Sequence, residues 1–267
     1  MKKLPWEGAF PPFRIFGNLY FVGSVPASTH VVDTGEGLII FDPGYHQNLH
    51  MVIDGMYRLG LNPYDIKYIF NTHGHIDHLG ATRALSLMTG AKTVLGRADR
   101  QYANGELDLT YAVELGMQYR EVFEPDILWE DGESLTLGRT TVTCMATPGH
   151  TPGALSYFFP VTDGEKTYRA CLHGGMGINT MSREYLEKYG LPFSCRDEFV
   201  KAMERLSREP ADIFLGNHMQ HNYTPERYEQ VMAGNKEAFV HPGESGEYAL
   251  WAIQNLRDMI DKENGNG

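Results

Sequence analysis

Short apolar runs separated by turn residues dominate the N-terminal part of the chain. Residues 11–23 predict two strands around a Gly-Asn turn, and residues 29–33 and 38–41 predict two more, joined by a turn at 34–37. Because such short turns connect neighbouring antiparallel strands, we expect the chain to open with an antiparallel sheet.

Further along the chain the pattern changes to an alternation of helices and strands. Apolar residues three and four positions apart predict a helix over 46–60, and a second helix is predicted over 79–88. Apolar runs at 66–70 and 93–95 predict buried strands. This alternation after an antiparallel start indicates an α/β sandwich.

The C-terminal part adds further strands and helices around two less regular segments. Residues 98–125 are polar and rich in tyrosine, and their spacing predicts a mostly helical insertion that could wall a pocket. Residues 176–194 are expected to be irregular. With 42% hydrophobic residues, the 267-residue chain suits one domain spanning 1–267. The remaining predicted strands are 127–129, 134–137, 140–145, 155–161, 167–172 and 212–215, and the remaining helices are 195–207, 225–233 and 246–260.

Composition and charge exclude several classes of protein. The formal net charge is −11 and no basic run occurs, which argues against a nucleic-acid partner. No apolar stretch approaches the length of a membrane span, so no membrane partner is expected. Met1–Glu7 lacks the apolar run of a secretory signal, so the chain as given is expected in the cytoplasm, or in the periplasm or outside the cell if a leader was removed. Cys144, Cys171 and Cys195 are too few and too scattered for a disulfide framework or a cysteine-rich zinc site.

The strongest chemical signal is the run Thr72–Gly80, which follows a predicted buried strand. It places His73, His75, Asp77 and His78 within six positions. Clustered imidazoles and carboxylates need partners when buried, and a divalent cation satisfies all of them. Imidazole and carboxylate ligands without a nearby thiolate favour zinc, with iron or manganese as alternatives.

A tetrahedral zinc site with an open position needs three protein ligands. His73 and His75 are two positions apart in an extended segment, so they point the same way and need a third partner. His150 is the favoured candidate because it stands in the loop 147–153, where prolines and glycines restrict the backbone on both sides. The other candidates are His30, His46, His50, His173, His218, His221 and His241.

Two further residues stand where strands end. His218 follows the predicted strand 212–215 and is therefore expected at the C-terminal edge of a sheet, where it could hold a second ion together with Asp77 and His78. Asp42 follows another strand, and it is either a turn residue or a residue that supports the metal ligands.

Thr72–Gly80 and Thr147–Gly153 are similar to the signature motifs of the metallo-β-lactamase superfamily. The resemblance extends over roughly residues 12–220, and it is strongest to subclass B3. It implies an αββα sandwich of two mixed β-sheets flanked by helices. It also implies two Zn²⁺ ions per chain, one held by His73, His75 and His150 and the other by Asp77, His78 and His218.

The same resemblance implies a binuclear zinc hydrolase in which a metal-bound hydroxide, oriented by Asp77, attacks a carbonyl carbon, with a β-lactam amide as the favoured substrate. The segment Ala170–Met176 departs from the family in two ways. It carries no bridging aspartate, as in subclass B3, and Gly174 and Met176 stand where that subclass usually places serines that hold the antibiotic's carboxylate. His173 is therefore a catalytic candidate, as a substitute donor or an extra ligand. The alternative function is a lactonase, esterase or thioesterase acting on a small cytoplasmic substrate.

Other members of the superfamily fit this sequence less well. A di-iron electron-transfer protein would carry glutamate in place of His75, a nuclease would need a basic surface, and a non-catalytic scaffold would have lost ligands. The expected partner is a small-molecule substrate, and the oligomeric state stays open.

Overall fold

The computed structural model describes residues 8–265, so the prediction made for Met1–Glu7 lies outside the described residues. The first of its two sheets has seven strands that follow one another in chain order. The strands are β1 (Phe13–Phe16), β2 (Leu19–Phe21), β3 (His30–Asp33), β4 (Leu38–Phe41), β5 (Ile66–Phe70), β6 (Lys92–Gly96) and β7 (Ile127–Trp129). Pairing is antiparallel from β1 to β4 and parallel from β4 to β7.

The second sheet has five strands, which are β8 (Ser134–Leu137), β9 (Thr140–Ala146), β10 (Leu155–Thr162), β11 (Thr167–Leu172) and β12 (Ile213–Leu215). Their spatial order is β12-β11-β10-β9-β8. All neighbours are antiparallel except β11 and β12, which are parallel. Both sheets are therefore mixed, as predicted.

The two sheets pack face to face. The ring of Phe41 on β4 stacks on Phe159 of β10 with centroids 4.8 Å apart. All four residues of β4 are buried because Ile39 and Phe41 face the other sheet, while Leu38 and Ile40 face helices. A strand covered on both faces reads as a continuous apolar run, which is the pattern seen in the sequence.

Helices cover the outer face of each sheet. The eight α-helices are α1 (Leu49–Arg58), α2 (Ile76–Leu79), α3 (Thr82–Thr89), α4 (Arg100–Ala103), α5 (Arg183–Tyr189), α6 (Cys195–Leu206), α7 (Thr224–Met232) and α8 (Glu244–Glu263), all within residues 8–265. Helices α1 and α3 bury apolar residues against the first sheet, and α6 and α8 bury theirs against the second. The predicted αββα sandwich is confirmed.

Three helix predictions need correction. The predicted helix 79–88 is two helices, because the backbone N–H of Ala81 donates to the carbonyl of Gly44 (2.9 Å). The prediction of a mostly helical 98–125 is wrong. Beyond α4 that segment is loop, with local turn hydrogen bonds such as Gly116 N–H to the Val113 carbonyl (3.0 Å) and a tertiary one from Ile76 N–H to the Thr110 carbonyl (2.9 Å). The prediction of an irregular 176–194 is also wrong, because the segment contains α5, which is capped by the Ser182 hydroxyl.

Within residues 8–265, no helix combines the length and apolar character needed to cross a membrane.

Candidate metal centre and active site

The six side chains predicted as metal ligands meet at one end of the sandwich. His73 and His75 lie in the loop after β5, and Asp77 and His78 lie on α2. His150 is brought to them by the loop between β9 and β10, and His218 follows β12. We call His73, His75 and His150 the first cluster, and Asp77, His78 and His218 the second cluster.

The first cluster is buried, and its three rings surround a common point. Ring centroids are 4.7 Å apart for His73 and His75, 4.8 Å for His73 and His150, and 4.5 Å for His75 and His150. The ligand atoms of the three residues lie within 4.8 Å of one another. Three imidazole nitrogens at this spacing match the donor set of a zinc site with an open position.

Hydrogen bonds fix which ring nitrogen His73 and His150 offer. The hydroxyl of Thr72 donates to Asp42 Oδ2 (2.7 Å), so it accepts from Nδ1–H of His73 (2.9 Å). The Nδ1–H of His150 donates to the carbonyl of Gly177 (2.7 Å). In both rings the lone pair is therefore on Nε2. The buried Nε2 of His73 has no hydrogen-bond partner within the described chain, as expected for an atom that binds a metal.

The environment of the first cluster keeps its imidazoles neutral. Burial, reinforced by neighbouring histidines, holds the pKa values of His73 and His75 well below the ordinary value. Burial also lowers the pKa of His150 to about 4, against the opposing hydrogen bond to Gly177. Since only a neutral imidazole binds a metal, protons compete weakly for these rings.

The second cluster adds a carboxylate beside the first. Asp77 Oδ2 lies 3.1 Å from His78 Nε2 and 3.5 Å from His218 Nε2. The His78 Nε2 atom is buried, and within residues 8–265 it makes no aligned hydrogen bond despite this short distance. The rings of His73 and His78 have centroids 4.3 Å apart, so the two clusters are in direct contact. Two ligand atoms that converge without bonding each other fit a cation placed between them.

Asp42 and a backbone carbonyl orient the second cluster. The Nδ1–H of His78 donates to Asp42 Oδ2 (3.0 Å), and the Nδ1–H of His218 donates to the carbonyl of Pro26 (2.9 Å). Asp42 also accepts from the backbone N–H of Thr72 (2.7 Å). It therefore supports ligands of both clusters, which decides between the two roles that the sequence left open for it.

Charge balance differs between the clusters. Burial lowers the pKa of His78, but the carboxylates of Asp77 and Asp42 outweigh that effect and raise it to about 10. Burial raises the pKa of Asp77, yet His78 and His218 hold it below its usual range. A cation in the second cluster would take the place of the proton on His78, which makes binding there dependent on pH.

Asp99, which no sequence pattern marked as a site residue, joins the two loops that carry the first cluster. Its carboxylate is buried and accepts from the backbone N–H of Gly74 (2.7 Å), the hydroxyl of Thr151 (2.6 Å) and the backbone N–H of Gly153 (2.6 Å). Burial raises the pKa of Asp99 to about 6 against these three hydrogen bonds. The available signal was a carboxylate four positions after the predicted strand 93–95, in a segment interpreted as part of an insertion.

His173 does not reach the clusters. Its ring is fully buried and stacks on Phe214, with centroids 5.5 Å apart. Its Nε2 lies 3.1 Å from Nδ1 of His221, and its Nδ1 accepts from the backbone N–H of Gly175 (3.2 Å). Both ring nitrogens are engaged in these contacts, and the structure does not bring His173 together with the six predicted metal ligands. His221 lines the cavity instead.

Two cavities border the clusters. A cavity of about 320 Å³ opens over both of them and is lined by ligands of each. A second, more apolar cavity of about 140 Å³ shares His75 and His150 with the first. The tyrosine-rich segment 98–125 does wall these spaces, through Tyr102 and Leu109 in the apolar cavity and Tyr111 in the larger one.

Comparison with known proteins agrees with this geometry. The family model of the metallo-beta-lactamase superfamily matches residues 22–163. The structure of BJP-1, a subclass B3 metallo-beta-lactamase of Bradyrhizobium japonicum, superposes with a TM-score of 0.87 at 27% identity, covering 98% of this chain and 97% of that one.

Two curated relatives share part of the sequence. A hydroxyacylglutathione hydrolase of Maricaulis maris is 30% identical over 132 residues, 49% of this chain and 41% of that protein. The N-acyl homoserine lactonase AttM of Agrobacterium fabrum is 26% identical over 157 residues, 52% of this chain and 57% of that protein. The match thus spans about half the length of these relatives. Together with the fold and the two clusters, the family match shows that the chain belongs to the metallo-β-lactamase superfamily of metal-dependent hydrolases.

Proposed function

We propose that this chain is a zinc-dependent hydrolase that holds two Zn²⁺ ions and cleaves a carbonyl substrate, with a β-lactam amide favoured. The observation that carries the proposal is the pair of adjacent clusters, each with three convergent ligand atoms. The first zinc would bind His73, His75 and His150, and the second would bind Asp77, His78 and His218. When bound, zinc lowers the pKa of a coordinated water to about 7 and polarises a carbonyl oxygen.

The residues around the clusters prepare the site for this chemistry. Asp42, Thr72 and the carbonyls of Gly177 and Pro26 hold four imidazoles with Nε2 facing the clusters, so binding needs little movement of the rings beyond loss of the proton on His78. The low pKa of Asp77 keeps its carboxylate ionised, so that it can accept a hydrogen bond from the attacking water and orient it. In this role Asp77 is both a ligand and a catalytic residue.

The cavities support a small-molecule substrate with a polar head and an apolar substituent. The reacting carbonyl would lie in the larger cavity over the clusters, and the apolar cavity lined by Tyr102, Leu109 and Tyr185 would take a nonpolar group. Similarity to a subclass B3 enzyme along nearly the whole chain supports a β-lactam. Partial similarity to a curated lactonase supports a lactone as the second candidate.

The proposal is tested with purified, zinc-loaded protein on nitrocefin and on a panel of N-acyl homoserine lactones. We expect nitrocefin turnover that is abolished by His150→Ala. His50→Ala is the matched control, because His50 is an exposed histidine on α1 whose ring bonds to the Gln47 carbonyl (3.1 Å), and the variant should keep full activity.

Each outcome of this assay decides between substrates. Hydrolysis of the lactones but not of nitrocefin would favour the second candidate, a lactonase. Turnover that survives His150→Ala, or no turnover of either class by protein with two bound zinc ions, would contradict the proposal.

A further inference from the structure

A chain of hydrogen bonds leads from the backbone at Gly175 to His221 at the edge of the larger cavity. A backbone amide can only donate, so Nδ1 of His173 must accept from Gly175 and carries no proton. A neutral imidazole has one N–H, which for His173 is then on Nε2. That N–H donates to Nδ1 of His221 over 3.1 Å.

This arrangement fixes the state of His221 as well. Because its Nδ1 accepts a hydrogen bond, the His221 ring is neutral and its proton is on Nε2. The Nε2 atom lies on the side of the ring away from His173, and within residues 8–265 it has no hydrogen-bond partner. His221 lines the cavity, and its ring packs against His218 with centroids 5.0 Å apart. The wall of the cavity beside the second cluster therefore contains a ring whose proton is fixed on Nε2.

The neighbours of the pair hold it in this geometry. His173 stacks on Phe214 and Tyr248, and His221 packs against Tyr248 with centroids 5.3 Å apart. A ring with its lone pair on Nδ1 cannot offer Nε2 to a metal, so His221 does not act as a seventh ligand. Its free N–H instead suits an oxygen acceptor.

We propose that His221 is a substrate-binding residue whose Nε2–H donates a hydrogen bond to a carbonyl or carboxylate oxygen of the substrate, and that His173 is the positioning residue that sets this tautomer. The inference rests on the proposed hydrolase function, which it extends by one specific contact. It requires the substrate to present an oxygen acceptor on the side of the second cluster.

The first test reads the tautomer without using activity. Long-range ¹H–¹⁵N correlation spectra of the zinc-loaded protein report which nitrogen of each neutral histidine carries the proton, and His173→Phe and His221→Phe assign the two signals. We expect both rings as Nε2–H tautomers in the wild type. A His221 ring protonated on Nδ1, or its Nε2 bound to zinc, overturns the proposal even if the protein shows no hydrolase activity.

The second test separates the roles of the two residues. His221→Phe should lower kcat/KM by about tenfold to a hundredfold, chiefly through KM, with the bound zinc unchanged. His173→Phe should lower kcat/KM by less, since a fraction of the His221 rings still carries the proton on Nε2 and can donate it to the substrate. Because His173 acts through His221, the double variant His173→Phe/His221→Phe should lose no more kcat/KM than His221→Phe alone. The double variant also removes both polar rings of the buried pair, so that neither ring is left without its partner.

Two substrates tell the acceptors apart. A loss confined to nitrocefin, which carries a carboxylate, identifies the carboxylate as the acceptor, whereas an equal loss on a carboxylate-free lactone identifies the carbonyl. His221→Gln keeps an N–H donor and should recover part of the lost activity. Unchanged kinetics in His221→Phe, additive losses in the double variant, or zinc lost from the second cluster would each overturn the proposal.

Discussion

Asp99→Asn is the sharpest test of how the first cluster is held. The carboxylate bridges the loop of His73 and His75 to the loop of His150, through Gly74 on one side and Thr151 and Gly153 on the other. Asparagine has nearly the same shape, so the substitution leaves no cavity. It replaces one acceptor oxygen by an NH₂ group that must face a backbone N–H or the Thr151 hydroxyl.

The size of the effect follows from these contacts. With the amide oxygen in the place of Oδ2, which accepts from Gly74 and Thr151, the NH₂ group faces the N–H of Gly153 and leaves it unsatisfied. A buried unsatisfied donor costs about 1–3 kcal/mol. The raised pKa of Asp99 shows that burial already disfavours its charge, so the net loss should fall toward the lower end of this range. Removing support of this kind typically weakens metal binding about 10-fold to 100-fold.

The assay combines urea denaturation with zinc titration against a chromophoric chelator. Asp126→Asn is the matched control, since Asp126 accepts from Thr93 N–H (3.0 Å) and Lys92 (2.8 Å) but touches neither ligand loop. It should lower stability by at most about 1 kcal/mol and leave zinc affinity unchanged. If Asp99→Asn behaved like this control in both measurements, the bridging role of Asp99 would be refuted.

Three further variants or conditions address other parts of the site. Gly175→Ala should weaken zinc binding in the first cluster, because a Cβ there would lie 2.6 Å from the His150 ring at a backbone φ of +113°. The control Gly60→Ala, at φ +76° with no described neighbour within 4 Å, should lower stability without changing zinc affinity. Equal zinc affinities of the two variants would disprove this. Asp42→Asn should weaken zinc binding in the second cluster about 10-fold to 100-fold, since it removes the negative charge beside His78 Nδ1–H and leaves one acceptor oxygen where Thr72 and His78 now share two. An unchanged titration would contradict this. On acidification from pH 8 to 5, the second cluster should lose zinc affinity about tenfold per pH unit, because the pKa of His78 is raised to about 10 and zinc must displace its proton. The zinc affinity of the first cluster should change little, because the pKa of His150 is lowered to about 4. Zinc content after dialysis at each pH checks this order, which would be wrong if the first cluster emptied before the second.

Much of the fold and of the metal centre could be predicted because the signals are local. Strands such as β5 (Ile66–Phe70) and turns such as 34–37 follow from apolar runs and turn residues, and the structure has them within a residue or two. The ligand motif at Thr72–Gly80 concentrates its chemistry in one short segment. His150 and His218 could be singled out because each stands in a loop or at a strand end that fixes its position, and the structure brings both to the predicted partners.

What could not be predicted depends on contacts between distant segments. Asp99 acts on residues 25 and 54 positions away, and no local pattern marks such a partner. The loop 104–125 has helical spacing, but its backbone forms isolated turns and is fixed by contacts with other segments, such as Ile76 N–H to the Thr110 carbonyl. His173 was a candidate because Gly174 and Met176 stand where the family places serines, whereas in the structure its ring contacts His221. The ligand roles and the one-domain organisation stay predictions.

The most direct measurement is anomalous diffraction at the zinc edge from crystals of protein purified without chelator. We predict two peaks per chain, one bound by His73, His75 and His150 and the other by Asp77, His78 and His218. No peak beside the first cluster, or a His218 ring turned away from Asp77, would contradict it.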